Sequence, residues 1–230
     1  MEVSLTRKEG WIMTENGFAI VPAQTKITTG KATTIAVSIL DESGSMEEYG
    51  NTPPEAMDAH HEALRKCDDG RQYLCAVITF ASDNEVKIPL MPVEDFGMLE
   101  GYRPHAMTLL WETVNKTIND LLNFYRSRIP TELRDDTRVV IGVFSDGDDN
   151  ESDKSLQPEA LQAIAAEAQS LGWELLTFGI GIDAKELAKG MGFPTDDEHA
   201  VTVVATPQGV RDATMSMTQT SMGGFKPRDL

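Results

Sequence analysis

Residues 33–45 read TTIAVSILDESGS, and this stretch decides the fold class of the 230-residue chain. From Thr33 to Leu40 the residues are β-branched or apolar except Ser38. A strand without a polar face is covered on both sides, as in a parallel sheet flanked by helices. The run ends on Asp41, and Ser43 and Ser45 follow at alternate positions around Gly44. Residues two apart in an extended or turning segment project to one side. Gly44 lets the backbone fold tightly enough for three side-chain oxygens to converge.

Working outward, short β-branched runs alternate with longer helical periods. Residues 73–80, 137–144 and 173–180 are predicted strands buried on both faces, with a shorter strand at 200–204. Ser82-Asp83-Asn84 suggests a hairpin into an antiparallel strand at 85–90. Helices are expected at 53–66, starting with two prolines, at 109–127, and at 157–171 ahead of Gly172. Shorter helices are expected at 183–189 and 207–218. In front of the first core strand, 11–13 and 18–21 flank Asn16-Gly17, a two-residue hairpin signal. The expectation is an α/β fold: a three-layer, doubly wound, mostly parallel central sheet with helices on both faces. A β-hairpin extension is expected over residues 1–32, the domain over 33–220 and a loose tail over 221–230.

A second acid-rich turn, FSDGDDN at 144–150, follows the strand at 137–144. In doubly wound sheets, ligand sites form beyond the carboxyl ends of strands where strand order reverses, which would bring Asp41 and Asp146 together. Thr108, ahead of the 109–127 helix, offers a hydroxyl from a third loop. Hydroxyl and carboxylate oxygens are what hard cations prefer; magnesium takes six at about 2.0–2.1 Å.

These motifs resemble the von Willebrand factor A domain family with a metal-ion-dependent adhesion site. Asp41, Ser43 and Ser45 stand as its D-x-S-x-S motif. Thr108 heads a similar helix start, Asp146-Gly147 is similar to its acidic turn, and 178–182 (FGIGI) resembles its late strand end. The resemblance covers residues 33–218. It departs at 102–107 (YRPHAM), where the family places glycines before the threonine. The resemblance implies that Ser43, Ser45 and Thr108 contact Mg2+ directly, with Mn2+ or Ca2+ as substitutes. It implies that Asp41 and Asp146 bind directly or through water. It further implies a non-enzymatic adaptor binding a partner protein's Asp or Glu through the metal, within an assembly that in prokaryotes often includes a MoxR-type AAA ATPase.

Twenty Lys and Arg against 37 Asp and Glu give a net charge of −17. Such a charge disfavours nucleic acid and anionic membranes as partners and favours cations and basic surfaces. The amino terminus has no apolar run behind a basic start, and no 18-residue apolar stretch occurs, so a cytoplasmic location is expected. Cys67 and Cys75 read as buried thiols, and the four histidines, without metal-ligand spacing, as packing or surface residues. Asp148, Asp149, Glu151 and Asp153 read as a cap-forming loop. Gly179-x-Gly181-x-x-Ala184 satisfies a relaxed dinucleotide fingerprint but lacks the acid expected ~20 residues on. Two alternatives stand beside recognition. Asp41 could be a phosphoryl-transfer nucleophile, although the acid/base position two residues on is Ser43. Or the metal could only stabilise a scaffold.

Overall fold

All nine residues of the strand Thr33–Asp41 are buried. The computed structural model describes residues 7–8, 11–12, 19–25, 27–147, 149–150, 152 and 158–223. In chain order its elements are β1 (Arg7–Lys8), β2 (Trp11–Ile12), β3 (Thr33–Asp41), α1 (Thr52–Arg65), β4 (Gln72–Phe80), β5 (Asn84–Pro92), α2 (Leu110–Arg128) and α3 (Thr131–Arg134). They continue with β6 (Thr137–Ser145), α4 (Pro158–Ser170), β7 (Glu174–Ile180), α5 (Ala184–Met191), β8 (Ala200–Val203) and α6 (Pro207–Ser221). Short 3-10 turns occupy Gly44–Tyr49 and Val93–Asp95.

The main sheet runs β5-β4-β3-β6-β7-β8; every pairing is parallel except that of β4 with β5. The three-layer α/β architecture is therefore present. Ile35, Val37 and Ile39 pack with Val114, Ile118 and Leu161 of α2 and α4, whereas Ala36 and Leu40 pack with Met57 of α1 and Met217 of α6. Each such aliphatic side chain contributes about 1.5–3 kcal/mol through burial. Asp41 continues the row facing α2. On the opposite face, a Cβ at Gly142 would sit 2.6 Å from Met217 Sδ, so the absent side chain is what lets α6 lie close on β6.

The amino-terminal reading needs correction. Trp11–Ile12 is extended, but it pairs antiparallel with Arg7–Lys8. Ile20 and Val21 are not in a strand, and the Asn16-Gly17 turn lies outside the described residues. The physical reason is that Ile20 is needed elsewhere: it is fully buried, its N–H donates to Asp120 Oδ2 (3.2 Å) and its carbonyl accepts from Leu90 N–H (2.8 Å). Arg128 then clamps the following turn, donating to the carbonyls of Pro22, Ala23 and Thr25. At the other end, Ser221 is buried as the last residue of α6, so the expected tail does not begin there; residues 224–230 lie outside the described set.

Candidate metal centre

β3 and β6 lie side by side with Leu40 opposite Phe144, so their carboxyl ends emerge together where the strand order reverses. Asp41 is fully buried there, and both carboxylate oxygens are engaged. Oδ1 accepts the Ser43 N–H (2.8 Å) and Oδ2 accepts the Ser145 hydroxyl (2.5 Å). Burial nonetheless pushes the Asp41 pKa up to about 6, outweighing those hydrogen bonds, and the nearby Asp146 charge adds to the rise.

The 3-10 turn at Gly44–Tyr49 brings the next two oxygens round. Ser43 Oγ and Ser45 Oγ lie 3.1 Å apart, and the Ser45 hydroxyl donates to Asp146 Oδ1 at 2.7 Å. Because the Ser45 proton points at Asp146, the Ser43 hydroxyl is the donor of the serine pair, giving a relay Ser43 to Ser45 to Asp146. Desolvation also raises the Asp146 pKa, and the Glu48 charge contributes. Neither Asp41 nor Asp146 forms an ion pair among the described residues. Glu42 turns away: it accepts from the Arg103 N–H and pairs with Lys87 Nζ at 3.3 Å.

Thr108 is buried on the adjoining loop, and its hydroxyl makes no hydrogen bond with Asp41, Ser43, Ser45 or Asp146. Its backbone is tied to the site from three sides. His105 N–H donates to Glu42 O (2.8 Å), and Ala106 O accepts from Gly44 N–H (3.3 Å). Met107 N–H donates to Ser82 Oγ (3.2 Å) and Leu109 N–H to Ala81 O (2.8 Å). Thr108 N–H donates to Asn150 Oδ1 (2.9 Å), and Asn150 N–H returns to Thr108 O (3.1 Å). Where the resemblance led to an expectation of glycine, Ala106 holds φ +54°, a left-handed conformation that costs a residue with a Cβ roughly 1–2 kcal/mol.

Three residues that hold the site were missed in the sequence. Ser145 orients Asp41; it precedes Asp146 and shares the row of Val139, Ile141 and Val143, so strand parity was the available signal. Tyr102 donates its hydroxyl to Asp41 O at 2.6 Å, and Asn150 fastens the Thr108 loop; neither has a periodic signature. Asp149 caps a helix, as expected of that loop, but the helix is α2: Asp149 Oδ1 accepts Trp111 N–H (3.1 Å) and Ser152 Oγ accepts Glu112 N–H (3.1 Å). Asp148, Glu151 and Asp153 lie outside the described residues.

The other sequence signals resolve into structure. Gly179 and Gly181 permit close packing: a Cβ at the first would lie 2.5 Å from Ile182 O, and the second has φ +73° against Ala205. The start of α5 is already capped by the Asp183 carboxylate, which accepts from Lys185 and Glu186 N–H, so a phosphate would meet an anion there. Cys75 is buried and Cys67 half-buried, both free thiols. His60 and His61 are buried between α1 and its neighbours, while His105 is exposed beside Asp83 at 3.5 Å. Among the described residues no three His, Cys, Asp or Glu side chains assemble for a metal, and none of the helices is long and apolar enough to cross a membrane. The donor set at the strand ends is hydroxyls and carboxylates, which fits a hard divalent cation and lacks the thiolate or imidazole of a structural zinc site.

No protein-family model matches the sequence, and no curated protein matches it. Solved structures do match. A von Willebrand factor type A structure from Catenulispora acidiphila superposes with a TM-score of 0.53 at 20% identity, over 84% of this chain and 43% of that one. Proximal thread matrix protein 1 of the mussel byssus, solved with a zinc-occupied MIDAS motif, gives 0.52 at 14% identity over 84% and 46%. The pilus adhesin SpaC of Lactobacillus rhamnosus GG, in an open conformation, gives 0.60 at 13% identity over 86% and 31%. The chain spans less than half the length of each of these proteins. At such identities the likeness concerns the fold: the chain has the von Willebrand factor A fold, an architecture that in the mussel protein carries a metal-occupied MIDAS motif.

Proposed function

We propose that this chain is a metal-dependent protein-recognition module, not an enzyme, with Mg2+ (or Mn2+ or Ca2+) held by Ser43, Ser45, Thr108, Asp41 and Asp146. The observation that carries the reading is the Ser43–Ser45–Asp146 relay, in which oxygens from loops about 100 residues apart in sequence meet within 3.1 Å at the strand-order reversal. A divalent cation there would supply a positive centre for a partner's Asp or Glu. The chain's own residues do the rest: the serines and Thr108 present neutral oxygens, Ser145 and Ser43 N–H fix the Asp41 carboxylate, and two carboxylates leave a divalent ion barely neutralised.

The phosphoryl-transfer alternative is weakened at Ser43, which stands two residues after Asp41 where an acid/base carboxylate is needed and offers only a hydroxyl, engaged with Ser45. The acidic surface fits a cytoplasmic adaptor that meets a basic face around the partner's acid, and an AAA-type ATPase is a partner compatible with the fold.

Calorimetric titration of the full chain with Mg2+, Mn2+ and Ca2+ tests the metal, with Ser43→Ala and Asp146→Ala expected to lose at least ~10-fold in affinity. Capture of partners from the native source in Mg2+ and in EDTA tests recognition. Equal capture in both buffers overturns ion-mediated recognition. Metal-dependent melting without metal-dependent capture would instead favour the stabilising-scaffold alternative.

A further inference from the structure

The first turn of α2 has no cap of its own: Leu109, at the N-cap position, makes no side-chain hydrogen bond to the helix. A helix start leaves several N–H groups without intrahelical partners. Here two of them, together with the Thr108 N–H just ahead of the helix, are met by side chains from another part of the chain, the loop after β6. Asn150 Oδ1 takes Thr108 N–H, Asp149 Oδ1 takes Trp111 N–H and Ser152 Oγ takes Glu112 N–H, at 2.9, 3.1 and 3.1 Å. Asp149 and Ser152 are themselves joined at 2.5 Å.

Asn150 differs from the other two in acting on the proposed metal ligand itself. It grips Thr108 through both backbone groups, its side chain accepting from the N–H and its own N–H donating to the carbonyl (3.1 Å). Thr108 follows Ala106, whose left-handed φ of +54° has no glycine to relieve it. A non-glycine residue persists in that region when its surroundings over-determine it. The neighbouring amides are held by Ser82 and Ala81, just after β4, and among the described residues only Asn150 ties Thr108 to the loop that also carries Asp146.

We propose that Asn150 is a positioning residue for the metal site: it locks Thr108 to the Asp146 loop, so that the two loops present their oxygens as one unit. The inference rests on the metal reading above. The test uses the full chain and Mn2+ alone, titrated by electron paramagnetic resonance, together with amide hydrogen exchange at Thr108. Asn150→Leu is expected to weaken Mn2+ by ~10- to 100-fold, the range seen when an outer partner of a metal ligand is removed. It is also expected to expose the Thr108 amide, while the Leu109 amide, bonded to Ala81, keeps its protection. Asn150→Asp retains the accepting oxygen and is expected to restore affinity to within ~3-fold of the natural chain, a rescue that a merely structural role does not predict. If Asn150→Leu fails to fold, Asn150→Ala carries the same comparison. Mn2+ bound as tightly by the Leu or Ala variant as by the natural chain overturns this inference alone. No uptake by the natural chain overturns the metal reading and, with it, this inference.

Discussion

At the amino-terminal end of the sheet, backbone carbonyls and carboxylates meet the protein's own cations. Arg71 donates to the carbonyls of Thr33 (2.8 Å) and Asp136 (3.1 Å), and Arg134 donates to Arg126 O (2.7 Å). His199 bridges Glu174 (3.0 Å) and Asp196 (2.8 Å). At the carboxyl end, Asp41 and Asp146 stand among hydroxyls and amides, with no ion pair among the described residues and with both pKa values raised. Both ends close the same strands, yet one is electrically self-contained and the other holds its acids under strain. On the proposed reading, that asymmetry is what a cation from outside would meet at the carboxyl end, whereas at the amino-terminal end the donors of Arg71 and Arg134 are committed to carbonyls.

The comparison can be broken most forcefully at Asp41. Its pKa is raised from 3.8 to about 6, so in EDTA at pH 7 Asp41→Asn is expected to stabilise the fold by up to ~3 kcal/mol while abolishing stabilisation by Mg2+. Urea unfolding with and without the metal reads both. A neutral or destabilising result would mean that this end is not strained. At the opposite end, Arg71→Leu is expected to cost about 2 kcal/mol through the lost charge-assisted bonds to carbonyls, leaving Mn2+ affinity unchanged. Next comes His199, whose pKa is raised to about 9, chiefly by Glu174. Stability from this raised cation is fully present below about 6.5 and lost as the pH rises through 9. The loss, discounted for partial exposure, is ~1–2 kcal/mol and should vanish in His199→Gln. The smallest effect is expected at Ala106. Ala106→Gly relieves the left-handed strain but frees the unfolded chain, so its melting shift should correspond to less than ~1 kcal/mol, whereas Ala106→Val should be clearly destabilising.

The strands and most helix limits were legible because buried parallel strands and amphipathic helices write their periods into the sequence. β3 continues one residue past the expected 33–40, taking in Asp41, and α6 continues past 218 to Ser221. Asp41, Ser43, Ser45 and Asp146 were legible as a cluster because they end strands that the fold makes neighbours. What holds them was not. Tyr102 acts through a single long-range hydrogen bond, Asn150 through a long-range pair with Thr108, and Ala106 through a backbone angle that alanine does not advertise. The amino-terminal hairpin was misplaced because Asn16-Gly17 is a local signal, whereas Ile20 follows a tertiary demand for a buried side chain.

Behind the sheet, α1 and α6 meet over two imidazoles. His60 Nδ1 lies 2.8 Å from Thr218 Oγ1; the Thr218 proton is already given to Thr214 O, so His60 donates, and its Nε2 has no partner among the described residues. Neither nitrogen of His61 has one, and its ring lies against Phe96. Burial lowers the His60 pKa to about 4 and holds His61 well below its usual range, with Arg65 adding repulsion. The unfolded chain therefore takes up protons first as the solution falls below about 6.5, and each one drawn in favours opening. Acid is therefore expected to loosen the seam between α1 and α6, read as weaker protection from amide exchange in these two helices below about pH 6 than above it.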